Sequence, residues 1–239
     1  YIYNMKINPV TIKTAEYHFE KFSESALAKP QMPLEKFLHY QKKTESDFRS
    51  ISMIETWCDK LSELVNKLLK VGNLDLAGVI CSRLAKFTNL PTEIKEKYIK
   101  QGLEIAELQG DKFHTIARLE CLHKEYKKNG NTEKLRKVLV REESELKEVI
   151  TNFDELIKTY KSINEKEKDV ENYKDLLATA QIDLANVLLK SDPKKAIKKL
   201  KSAIEILNTI SNDRNRTTFA KMLLKFAKKN LYGDKYLEF

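Results

Sequence analysis

Backbone punctuation is scarce in this sequence: only six Gly and five Pro occur among 239 residues. So few turn formers leave long uninterrupted segments, which excludes an all-β fold of many short strands. No window approaches the roughly 18 consecutive apolar residues of a transmembrane helix, and residues 1–10 lack the basic start and apolar run of a secretory signal. The expectation is a soluble, cytoplasmic protein with no membrane partner. Cysteine is also sparse. Cys58, Cys81 and Cys121 are odd in number and contain no C-x-x-C pair, which argues against a disulfide framework or a zinc knuckle. They are expected to be buried, reduced thiols.

Catalytic and ligand-binding motifs are equally thin. The glycines form neither a G-x-G nor a G-x-x-x-x-G-K arrangement, so no phosphate cradle is present. H-E-x-x-H and G-x-S-x-G are both missing. Glu120-Cys121-Leu122-His123 has the E-x-x-H spacing that puts two ligands on one helical face, as in di-iron bundles. Such centres need two of these motifs and two further glutamates, and the chain offers one. Glu120 and His123 flank the apolar positions Leu119 and Leu122, so a solvated helix flank is expected there. Glu142 and Glu143 lie in a charge-rich stretch and are expected on a solvated face rather than as an acid and base pair. No catalytic residue, metal or cofactor is expected, and the chain is read as a non-enzyme.

What is present is helical periodicity. Lys, Glu, Leu and Ala dominate, and these residues lose least on entering a helix. Residues 1–44, holding Pro9, Pro30 and Pro33, read as an N-terminal extension with short helices over 11–27 and 34–42. From residue 45 onward Phe48, Ile51, Ile54, Cys58, Leu61, Val65 and Leu68 step by three or four, predicting one long helix to about residue 71. Trp57 on this helix is expected in the core. Gly72-Asn73, Gly110-Asp111 and Gly130-Asn131 supply stop signals. Helices are predicted over 74–90, 91–108, 112–128, 132–161 with a break near 151–152, 170–190, 193–210 and about 214–231. Asp192 is expected to cap the helix that begins at Pro193 and buries Ile197, Leu200, Ile204 and Leu207. Residues 162–169 form the most polar connection and a candidate hinge. Links this short force consecutive helices to run antiparallel. The fold class predicted is all-α, a row of stacked helical hairpins.

Residues 184–206 (LANVLLKSDPKKAIKKLKSAIEI) resemble a tetratricopeptide repeat. The match lies in Leu184, Ala185 and Leu188 of one helix and Ala196, Leu200 and Ala203 of the next. A fainter match runs through Leu64, Leu68, Gly72, Ala77, Cys81 and Leu84. The resemblance implies that residues 45–239 form a short α-solenoid in which small residues let paired helices approach. It also implies a non-catalytic scaffold or adaptor that binds a protein or peptide in the concave groove of its helical repeats.

Charge is uneven. The chain carries a formal +9, and residues 187–239 alone hold 13 Lys and Arg against five Asp and Glu. Lys194, Lys198 and Lys201 form one stripe with Lys195 and Lys199 beside it, and Lys221, Lys225, Lys228 and Lys229 form a second. These nine lysines are candidate contacts for an anionic partner. The alternative to a protein scaffold is therefore a nucleic-acid-associated accessory protein using the basic C-terminal helices. The near absence of Arg in this region weakens bidentate phosphate recognition.

Overall fold

The computed structural model describes residues 11–28, 32–86, 90–159 and 169–210. Among the described residues the protein is all-α, with ten helices and no strand: α1 (Ile12–Leu27), α2 (Leu34–Ser50), α3 (Ile54–Lys70), α4 (Leu74–Ala85), α5 (Thr92–Leu108), α6 (Lys112–Lys128), α7 (Thr132–Thr151), α8 (Phe153–Thr159), α9 (Val170–Leu188) and α10 (Pro193–Asn208). None of them is long and apolar enough to cross a membrane. The predicted helix over 214–231 and the hinge residues 162–168 lie outside the described residues. The chain divides into two compact units, Tyr1–Ile105 and Ala106–Phe239.

One corner design recurs. Gly72, Gly110 and Gly130 adopt φ of 75°, 65° and 67°, the left-handed conformation that costs glycine nothing. The residue after each glycine has two roles. The N–H groups of Asn73, Asp111 and Asn131 donate back to the carbonyls of Leu68, Ala106 and Tyr126 at 2.9, 2.9 and 3.0 Å, closing the Schellman bond of the preceding helix. Their side-chain oxygens then accept from the N–H groups of Leu76, His114 and Lys134, capping the next helix. Stop and start are thus compressed into one Gly-Asx pair, which turns the chain sharply enough to make a hairpin.

In the first unit α1 packs on α2 and α3, α2 on α3, and α3 on α4. Its core contains Phe19, Phe22, Phe37, Phe48, Trp57, Leu61, Leu64, Leu68 and Leu84. The predicted single helix from 45 to 71 is broken here. α2 ends at Ser50, Ser52 takes φ 59°, and the N–H of Met53 reaches the Phe48 carbonyl at 2.9 Å. This is the same Schellman closure with serine in place of glycine. The predicted boundary at 44/45 falls inside α2, and Phe19, Phe22 and Phe37 from the expected extension share the core of α3 and α4.

In the second unit α6 packs on α7, α7 on α8 and α9, and α9 on α10. Phe113, Phe153 and Tyr173 form an aromatic cluster with centroids 5.5 to 6.3 Å apart. α9 is the central element: every residue from Ala180 to Ala185 is buried, so this stretch turns no face to water. α10 differs from its prediction in rotation. It buries Ala196, Ala203 and Leu207, while Ile197 and Ile204 are each 43% exposed. Small residues permit the closest approach to α9, and that approach turns the two isoleucines outward.

Candidate functional site

Because residues 180–185 of α9 are all buried, the polar residues among them must find partners inside the protein. Asp183 and the amide nitrogen of Gln181 both do. Asp183 Oδ2 lies 2.9 Å from Nε2 of His123 and 2.5 Å from Nζ of Lys127, both on α6. The other ring nitrogen, Nδ1, lies 3.0 Å from Oε2 of Glu142 on α7. His123 therefore sits between two carboxylates and ties α6 to α7 and α9. His123, Glu142 and Asp183 are all buried, Glu142 to 1% exposure.

Carboxylates accept hydrogen bonds and cannot donate them when ionised. Each ring nitrogen must accordingly carry a hydrogen, which makes His123 an imidazolium. Burial works to lower its pKa, but the hydrogen bonds to Asp183 and Glu142, reinforced by their charges, outweigh burial and push it up to about 9. For Asp183 burial acts upward, and the bonds from His123 and Lys127 overcome it and hold the carboxyl below its ordinary value. An imidazolium clamped at both nitrogens is no base at neutral pH. The chemistry of the arrangement is that of a clamp.

A second cluster adjoins it on α7. Glu143 accepts from Lys199 of α10 at 2.7 and 2.5 Å, from Lys147 at 2.7 Å and from Nε2 of Gln181 at 3.3 Å. Gln181 also donates to Ser202 of α10 at 3.0 Å. Burial tends to raise the Glu143 pKa, and the bonds from Lys147 and Lys199 reverse this and lower it.

These clusters correct two expectations. His123 is not on a solvated flank, and its predicted E-x-x-H partner turns elsewhere: Glu120 is bonded to Lys124. Glu142 and Glu143 are not on a solvated face but buried. Adjacent positions on a helix point about 100° apart, so burying both takes neighbours on two sides, and α6, α9 and α10 supply them. Among the described residues no group of three His, Cys, Asp or Glu side chains is arranged to hold a metal ion. The three cysteines are free thiols; Cys58 and Cys81 are buried, Cys121 is half-buried, and burial pushes the Cys58 thiol up to about 12. Trp57 is fully buried in the first unit, where its indole N–H donates to Thr44.

The candidate lysines separate into three groups. Lys194, Lys198 and Lys201 are exposed along α10, at positions that share a face with the exposed Ile197 and Ile204. Lys195 pairs with the N-cap residue Asp192 at 3.1 Å, and Lys199 turns inward to Glu143. Lys221, Lys225, Lys228 and Lys229 lie outside the described residues. No protein-family model matches the chain, and no curated protein matches it.

Proposed function

We propose that the protein is a non-catalytic scaffold of tetratricopeptide-like helical hairpins that binds an acidic protein or peptide segment through the outer face of α10. The observation that carries this reading is the composition of that face. Ile197 and Ile204 expose apolar surface, and Lys194, Lys198 and Lys201 line one flank of it together with a single exposed carboxylate, Glu205. An amphipathic segment with acidic flanks complements both properties. Lys194 and Lys195 occupy the first turn of α10, where the N-cap carboxylate of Asp192 pairs with Lys195 at 3.1 Å.

Support for the repeat architecture comes from the two hairpins that resemble the family. In α3 and α4, Leu64, Leu68, Ala77, Cys81 and Leu84 are buried; in α9 and α10, so are Leu184, Ala185, Leu188, Ala196 and Ala203. Small residues thus stand where paired helices meet in both hairpins. The decisive experiment compares proteins captured by the wild type and by the triple variant Lys194→Glu, Lys198→Glu, Lys201→Glu. The scaffold reading expects a partner lost from the variant, with Tm unchanged. Identical capture by both removes it. The same exposed lysines favour the nucleic-acid alternative, which a salt-titrated gel shift tests: binding at low ionic strength that falls steeply with salt supports it, and no binding at low salt excludes it.

A further inference from the structure

The wild-type residues of the second unit place a cation where two buried carboxylates need one, and that cation is a titratable imidazole. We propose that His123 acts as an alkaline-release clamp: protonated, it fastens α6 to α7 and α9, and its deprotonation loosens the contact between α6 and α9.

Both carboxylates draw a hydrogen from the same imidazole ring. With both nitrogens protonated, Glu142 Oε2 and Asp183 Oδ2 each receive a hydrogen at 3.0 and 2.9 Å. Neutral imidazole keeps only one N–H. The two carboxylates do not compete equally for it. Asp183 retains the Lys127 ammonium at 2.5 Å, whereas Glu142 is hydrogen-bonded to His123. The remaining proton therefore stays on Nδ1, facing Glu142. Nε2 then presents a lone pair to Asp183 Oδ2 across 2.9 Å, in a region with little water to screen it. The contact that yields is the one between α6 and α9.

The surrounding charges do not replace the lost proton. On α6, Lys127 is bonded to Asp183, Lys124 is bonded to Glu120 while its charge also reaches Glu142, and Arg118 is a further buried cation more than one turn from His123. On α7, Lys147 is bonded to Glu143; on α10, Lys199 is bonded to the same carboxylate. His123 is the cation placed between Glu142 and Asp183.

The sign of the effect is fixed by linkage. The folded protein binds this proton more tightly than the unfolded chain, whose histidine titrates near 6.5, and the folded value is about 9. The stabilisation is complete below pH 6.5 and is lost as pH rises through 9. A shift of this size changes the folded-to-unfolded ratio by on the order of 10²-fold across that window.

Two measurements test the clamp on the full chain. In ¹⁵N NMR of the wild type, the His123 ring is expected to show two protonated nitrogens at pH 7.5 and to titrate near 9; titration between 6 and 7 overturns the proposal. Urea unfolding at pH 6 and pH 9.5 is expected to show a loss of stability in the wild type that is absent or much smaller in His123→Gln. Equal pH dependence in both proteins also overturns it. If His123→Gln fails to fold, the NMR titration of the wild type decides alone.

Discussion

Lys199 of α10 and Glu143 of α7 form a two-pronged ion pair, with Nζ 2.7 and 2.5 Å from the two carboxylate oxygens. It separates one lysine of a five-lysine helix from its neighbours. Lys198, one residue earlier, points to solvent. Two adjacent residues of the same type therefore have different tasks, one holding α10 against α7 and the other coating the surface.

Substitution should reveal that division. Lys199→Met removes a cation from a carboxylate that is buried, leaving Glu143 with Lys147 and Gln181. Breaking a fully buried pair costs about 3–5 kcal/mol. Because Lys147 remains and Lys199 is partly solvated, about 1–2 kcal/mol is expected here. Lys198→Met is expected to change stability by no more than about 0.5 kcal/mol. Urea denaturation of the two variants followed by circular dichroism measures both. Equal losses would contradict the assignment.

Thr44 and Trp57 offer a test in the first unit. Thr44 Oγ1 accepts the indole N–H at 3.1 Å and donates to the Gln41 carbonyl at 3.0 Å, all within buried surroundings. Thr44→Val keeps the shape and deletes both bonds. The expected destabilisation is about 1–3 kcal/mol. Trp57 is the single tryptophan of the chain, so its fluorescence reads the unfolding of this unit directly. An unchanged midpoint would show that the hydrogen bond contributes nothing.

Ser52 predicts a gain. Its φ of 59° is the left-handed value adopted by Gly72, Gly110 and Gly130 at the other corners. A side chain in that conformation costs about 1–2 kcal/mol, and glycine's greater freedom in the unfolded chain returns part of this. Ser52→Gly is therefore expected to stabilise the protein by about 0.5–1 kcal/mol, read as a rise in Tm. A fall would mean that the serine side chain supports the turn.

Local signals made much of the fold readable before any coordinates. The boundaries of α6 at Lys112 and Lys128 follow from the Gly-Asx corners on either side, and α10 begins at Pro193 after its Asp192 cap. These features act within a few residues of the chain, so the sequence displays them. The corner at Ser52 escaped because serine rarely takes a left-handed conformation, and no glycine marked it. In α9 the sequence carries a further signal. Gln181 and Asp183 interrupt a run that includes Ala178, Ala180, Ile182, Leu184 and Ala185, and polar residues in an otherwise apolar helix need internal partners.

By itself the sequence determined that the described chain is helical, where most helices stop and start, and much of the apolar core, though not the inward face of α10. Periodicity, glycine and capping side chains are enough for that, because helix formation depends on neighbours three and four residues away. Only tertiary structure decided that His123 meets Glu142 and Asp183, residues 19 and 60 positions distant, and that Lys199 turns inward while Lys198 does not. The rotation of each helix about its axis is set by how closely its neighbour approaches. Small residues on α9 and α10 fixed that approach, and with it which charges were buried and which were left to solvent.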